Sequence, residues 1–265
     1  MIELATKIGL SSCMTEKLSA LIFREGAEID KWAEKCMSSG FHNLKAKAPL
    51  FRLAVILKLA CQVKEKYDEA GIDEKIYYDT MSDIKIWSDK CKKGGLENFG
   101  WLKNHVSFEL FRLGRLQFQL YECKNKTLLY NKLPFSYGDK LIYVHIPEGE
   151  KLSEEKCRES FRAAKEFFAK YFPEYKYGYY FCESWLLFEG NREFMAKDSN
   201  IVKFMAFFDI CYSVKIDEQA IERIFGKREL FKRNYPEKTS LQKATKHYML
   251  SGGRLGIGVG VRKLR

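Results

Sequence analysis

No two cysteines of this chain lie within three residues of each other, although there are eight, at positions 13, 36, 61, 91, 123, 157, 182 and 211. That spacing excludes a CxxC zinc or redox signature and offers no disulfide framework. Several fall on apolar faces, as buried thiols do. Histidine is scarce too: His42, His105, His145 and His247 stand alone. None pairs with another at metal-ligand spacing, so no metal is expected. The longest apolar run, Leu53–Cys61, is interrupted by Lys58 and is too short to span a bilayer, so no membrane partner is expected. The opening Met1-Ile2-Glu3-Leu4 is not a secretory leader, and with unpaired thiols the expected location is the reducing cytoplasm. There is no P-loop, and Ser184 has no GxSxG setting for a nucleophile elbow. There is also no internal repeat and no low-complexity linker.

What is present is a core. The 265 residues are 46% hydrophobic and 15% aromatic, which suits one large domain or two small ones and excludes a disordered chain. The formal net charge is +11, with lysines spread along the chain rather than gathered in a tail. Such a distribution reads as a solvated basic surface, and it also suits an anionic small ligand. Lys124, Lys126, Lys132 and Lys140, with Tyr121, Tyr130 and Tyr137, flank strand turns in the manner of a single-strand binding face. No RNP-like or helix-turn-helix signature accompanies them, so nucleic acid is not the expected partner.

Residues 141–172 organise the pattern. Ile142, Val144 and Ile146 alternate with Tyr143 and His145, which predicts a strand over Leu141–Ile146. Pro147 ends it and Glu148-Gly149 turns the chain. Ser153 is the predicted N-cap of a helix, with Glu154 and Glu155 at its positive end. Cys157, Phe161, Ala164, Phe168 and Tyr171 make the apolar stripe, and Pro173 closes it.

Upstream, residues 1–93 read as helices. Thr15 is the predicted cap of the first, which leads through Leu18, Leu21 and Ile22 and continues to Gly40. Pro49 suits a first helical position, and Leu50–Lys66 is apolar nearly all round. Thr80-Met81-Ser82-Asp83 resembles a capping box ahead of Ile84. After about residue 105 strands appear: Phe111–Glu122, Leu128–Tyr130, Leu141–Ile146, Tyr179–Phe188, Phe207–Ile216 and Leu255–Lys263. Helices are predicted at 153–171, near Asp198–Phe204, at Asp217–Phe225 and at Ser240–Leu250. The early strands stand close together without crossover helices. The expected class is α+β, with a helical domain at 1–104 and a mixed-sheet domain at 105–265.

Three features carry chemistry. Gly256, Gly258 and Gly260 share one face of the last strand, which lets a backbone, a helix or a ligand approach closely. The spacing does not match a dinucleotide fingerprint. His145 lies at a strand end beside a helix N-terminus, either as a site residue or as a satisfied edge histidine. Glu183 shares a face with Tyr179, Phe181, Trp185 and Leu187. A carboxylate among aromatics would titrate high and could act as a general base; the alternative is that it points outward at a sheet edge.

A family resemblance joins these stretches. Phe111-Arg112-Leu113-Gly114-Arg115-Leu116-Gln117-Phe118, Val144-His145-Ile146-Pro147 and Phe167-Phe168-Ala169-Lys170-Tyr171-Phe172-Pro173 resemble bacterial acyltransferase-domain proteins with a GNAT-like (N-acetyltransferase-like) C-terminal domain. Ser184-Trp185-Leu186-Leu187, Asp198-Ser199-Asn200-Ile201-Val202 and Leu241-Gln242 through Gly252-Gly253 resemble it as well. The likeness covers about residues 100–265, and the helical part before it resembles the N-terminal domain these proteins carry. It implies a GNAT-like mixed sheet flanked by helices and transfer of an acyl group from acetyl-CoA or another acyl-CoA to an amine of a small-molecule or peptide acceptor. It implies that pantetheine lies between the strands at 141–147 and 179–188. It places pyrophosphate on Glu148–Ser153, with Ile146, Gly149, Lys151 and Ser153 as the donor-binding residues. Glu183 or His145 is then the base. The turn holds one glycine, four carboxylates (Glu148, Glu150, Glu154, Glu155) and Lys151 as its only cation. The usual pyrophosphate-loop motif is thus missing, and the alternative is a non-catalytic GNAT-fold protein that binds another ligand or a protein partner.

Overall fold

The computed structural model describes residues 1–124 and 133–264. The strand expected at Leu128–Tyr130, with Lys126 and Lys132, lies outside the described residues. The chain forms two compact units, Met1–Gln119 with Ile146–Glu148, and Leu120–His145 with Gly149–Arg265. The six strands among the described residues form one mixed sheet in the order β1-β2-β3-β4-β6-β5.

The first unit is helical. It holds α1 (Ile2–Lys7), α2 (Ser12–Ser39), α3 (Pro49–Glu69), α4 (Glu74–Asp89) and α5 (Phe99–Val106), followed by β1 (Leu110–Leu113) and the start of β2 (Leu116–Glu122). Pro49 opens α3 as expected, and Leu53, Ala54, Val55, Ile56 and Leu57 in succession are fully removed from water. The other two predicted caps are wrong. Helix α2 starts before Thr15 because the Ser11 hydroxyl accepts the Met14 N–H at 3.3 Å. Thr80 lies inside α4, where its hydroxyl donates to the Ile76 carbonyl at 2.6 Å. The true cap is Asp73, which accepts the Lys75 N–H at 2.7 Å. The single strand predicted over Phe111–Glu122 is a hairpin. Gly114, at φ 73°, turns the chain so that Leu113 pairs with Leu116. Helix α5 carried no prediction.

The second unit continues with β3 (Lys140–His145), α6 (Glu154–Tyr171), β4 (Tyr179–Ser184), α7 (Asn191–Phe194), α8 (Asn200–Met205), β5 (Asp209–Val214), α9 (Glu218–Phe225), α10 (Ser240–Leu250) and β6 (Ile257–Lys263). Strands β3 and β4 are parallel, while β4 and β5 each run antiparallel to β6. Ser153 caps α6 as expected by accepting the Lys156 N–H. Phe161 of α6 packs edge-on to Tyr180 at 5.3 Å and stacks on Phe207 at 5.5 Å, so α6 covers the face of β4 that carries Tyr180.

Strand β4 stops at Ser184 rather than running to Phe188. The Ser184 hydroxyl accepts the Leu186 N–H at 3.2 Å and draws Trp185–Leu187 into a 3₁₀ turn. This turn rests on the bare face of β6. A Cβ at Gly258 would lie 2.0 Å from the Leu187 carbonyl oxygen, and one at Gly256 would lie 2.5 Å from the Phe188 ring. The glycines serve close packing of the chain on itself.

Candidate active site

Alternation along the strands decides which side chains meet. The face of the sheet opposite Tyr180 carries Tyr121 from β2, Tyr143 and His145 from β3, Phe181 and Glu183 from β4, and Val259 and Val261 from β6. Tyr121 stacks on Phe181 with centroids 6.0 Å apart, and Tyr143 meets Phe181 edge-on at 4.9 Å. Tyr143 also stacks on His145 at 4.2 Å. The result is a continuous aromatic floor beside a half-buried carboxylate. Tyr121 is part of this floor rather than of a nucleic-acid face, because its ring is taken by Phe181 and Tyr143.

The backbone pairing between β3 and β4 is short. The parallel ladder between β3 and β4 consists, among the described residues, of Ile142↔Tyr180 and Tyr143↔Phe181. Beyond this point Val144 and His145 on one strand, and Cys182, Glu183 and Ser184 on the other, lie outside that ladder. On the other side, β4 stays paired to β6 through Glu183↔Val259 and Ser184↔Gly258. His145 and Glu183 each lie two residues past the last pair of the β3–β4 ladder, Tyr143↔Phe181.

Burial raises the Glu183 carboxyl above its usual range, and among the described residues no cation or hydrogen-bond donor opposes it. Burial likewise pushes the Tyr143 phenol well up, with Cys182, Glu183 and Tyr121 adding to the effect; a backbone hydrogen bond from Glu183 works the other way. At neutral pH Tyr143 is a proton-bearing phenol. The Cys182 thiol is raised by burial and by Glu183 and stays protonated.

The turn after β3 divides between the units. Ile146, Pro147 and Glu148 belong to the first, where Arg115 donates to the Pro147 carbonyl at 2.8 Å and Lys90 pairs with Glu148 at 2.5 Å. From Gly149 onward the chain belongs to the second. Gly149 takes φ 107°, a value that favours glycine. Glu150 pairs with Lys156, and Glu154 accepts from Arg158 at 2.6 Å. Glu148, Glu150 and Glu154 thus each have a cation beside them, which reduces the negative potential of the turn. Lys151 is exposed and Ser153 half-buried at the α6 N-terminus. Among the described residues no three His, Cys, Asp or Glu side chains gather to hold a metal ion.

Tyr121 and Tyr143 were missed as companions of Glu183. Their alternation was visible, but the strand order that brings them together was not.

A family model described as GNAT-like C-terminal domain matches residues 110–262, and one described as N-acyltransferase N-terminal domain matches residues 1–108. No curated protein matches the chain. Among solved structures, an acyltransferase in complex with decanoyl-CoA and teicoplanin is similar, with 23% identity and a TM-score of 0.80 over 99% of this chain and 87% of that one. An acyltransferase in complex with CoA and 10C-teicoplanin gives the same identity, coverage and TM-score. An acyltransferase mutant in complex with octanoyl-CoA gives 23% identity and a TM-score of 0.79 over the same shares. At this identity the likeness is one of fold.

Proposed function

The chain belongs to the GNAT-like C-terminal domain family, and from that premise we propose that it is an N-acyltransferase. It moves an acyl group from acyl-CoA to the amine of a small-molecule or peptide acceptor. The observation that carries the reading is the half-buried carboxylate of Glu183, raised by burial, just past the end of the β3–β4 ladder at Tyr143 and Phe181. The acyl-CoA and teicoplanin bound by the structurally similar acyltransferases support the donor class and a sizeable acceptor.

In this reading the thioester lies between β3 and β4, past the end of that ladder. Glu183 accepts a proton from the acceptor ammonium or amine. The amine nitrogen bonds to the thioester carbonyl carbon, and the carbon–sulfur bond breaks. The leaving thiolate takes a proton from the Tyr143 phenol, and the phenol regains one by way of solvent as Glu183 gives up the proton it took from the amine. His145, two residues past the same ladder, is the second candidate for the base. Gly149, Lys151, Ser153 and the first amides of α6 receive the pyrophosphate, since a helix N-terminus favours an anion. Ile146 carries the strand into that turn.

Calorimetric titration with acetyl-CoA, and then with a longer acyl-CoA, tests this. Micromolar binding is expected for at least one of them, and justifies an acceptor screen by free-thiol release. Absence of binding at millimolar donor overturns the transferase reading and leaves a binding protein of the same fold. Lys151→Glu is expected to weaken donor binding a few-fold, and an unchanged affinity would remove Lys151 from the donor site.

A further inference from the structure

The connection between α9 and α10 contains Lys227-Arg228-Glu229-Leu230-Phe231-Lys232-Arg233, two apolar residues between two pairs of cations. Leu230 is 87% exposed and Phe231 51% exposed. The segment that presents them is pinned on both sides. Arg228 pairs with Asp217 at 2.5 Å, and the Glu229 N–H donates to the Tyr235 hydroxyl at 3.3 Å. Lys232 donates to the Met249 carbonyl at 2.8 Å. Tyr235 is buried, and its ring stacks on Phe225 at 4.3 Å. The chain thus holds two apolar side chains in water by fixed contacts, against the hydrophobic effect.

Lys215, Arg254 and Met249 line the same hollow as Leu230, together with Asp217 and Glu229. Between residues 215 and 254 there are ten lysines and arginines and five carboxylates. A single exposed leucine is ordinary, but an adjacent exposed leucine and phenylalanine with cations on both sides mark an interaction surface.

We propose that this loop is a peripheral anchor on an anionic lipid surface. Leu230 and Phe231 enter the headgroup region, and Lys215, Arg233 and Arg254 meet the lipid phosphates, while Lys227 pairs with Glu229 at 2.9 Å. Leu230 borders that hollow yet is 87% exposed, so most of its side chain stands out into solvent, which suits the headgroup layer of a bilayer better than the ridge of a protein helix. The association is peripheral, because among the described residues no helix is long and apolar enough to cross a membrane. The proposal does not depend on the transferase reading.

Flotation of the full-length chain with vesicles tests it. Phosphatidylcholine vesicles are compared with vesicles in which about one third of the lipid is phosphatidylserine, at about 0.1 M salt. Binding to the anionic vesicles alone is expected. Leu230→Ser with Phe231→Ser should reduce the bound partition at least about tenfold, because the apolar insertion is lost. Lys215→Glu with Arg233→Glu should reduce it about 30-fold or more. A charge-matched pair in the first unit, Lys66→Glu with Lys92→Glu, should change it only a few-fold. Thermal melting and circular dichroism establish that each variant is folded. Three results overturn the proposal: no binding to anionic vesicles, binding indifferent to Leu230 and Phe231, or equal loss in the charge-matched pair. Binding to polyglutamate that falls in the Leu230 and Phe231 variant, with vesicles ignored, also overturns it and assigns the loop to an acidic protein.

Discussion

Two carboxylates of this chain are withdrawn from water, and they respond in opposite directions. In the first unit Asp83 is buried on α4. Burial drives its carboxyl up, but His105 at 3.1 Å, Trp101 donating at 3.0 Å and the nearby Gln117 outweigh burial and hold it below its usual value. In the second unit burial acts on Glu183 alone, and its carboxyl is raised. Loss of water therefore does not by itself make a base. What decides is whether the fold supplies donors to the charged form. Asp83 is answered at Oδ2 by both Trp101 and His105 and serves as an internal clamp. Glu183 has no such donors among the described residues, and its carboxyl stays raised, which is why we propose it as the base.

The comparison can be broken at either end. Glu183→Gln should lower turnover by about 10²–10⁴-fold with little change in acyl-CoA affinity, read by steady-state kinetics beside calorimetry. Unchanged turnover would transfer the role to His145. Asp83→Ala should instead cost about 1–3 kcal/mol in a urea titration at neutral pH, because it leaves the Trp101 N–H and His105 Nε2 without their partner. A loss under about 1 kcal/mol would show that the cluster is not a clamp. Gly258→Ala sharpens the contrast by moving Glu183 without altering it. The added methyl collides with the Leu187 carbonyl, so a loss of about 1–3 kcal/mol and reduced turnover are expected together.

The smallest effects lie in pH dependence. Because the folded-state pKa of Glu183 is raised, its contribution to stability is present below the ordinary value of 4.5 and is lost as pH rises through the folded value. Glu183→Gln should therefore melt no lower than the parent at neutral pH, and the acid limb of kcat/KM should lie above 4.5. Asp83 has the opposite sign. Its contribution is present above 3.8 and is lost as pH falls through its lower folded value. A parent melting curve that ignores acid down to this range would contradict the clamp.

Much of this was legible in the residues. Helix α6 followed from the Ser153 cap and the stripe from Cys157 to Tyr171, because cap and stripe agree. Helix α10 lies at Ser240–Leu250, as predicted. The caps at Thr15 and Thr80 failed because a hydroxyl inside a helix can bond back to a carbonyl one turn earlier, and composition does not reveal which bond it makes. The hairpin at Gly114 was read through because both arms alternate in one continuous pattern. Strand β4 was drawn too long because Ser184, which bends it, looks like any other strand residue. Glu183 and His145 were each visible as candidates. Their shared position two residues past one ladder depends on β3 and β4 lying side by side and on their pairing ending at Tyr143↔Phe181. Both are properties of the sheet, not of any local pattern.

The grip of Arg115 on the Pro147 carbonyl has a consequence for modularity. Residues 146–148 are held by the first unit, although the chain on both sides of them belongs to the second. The first unit is therefore discontinuous in sequence, and a fragment ending at Gln119 lacks the carbonyl that Arg115 holds.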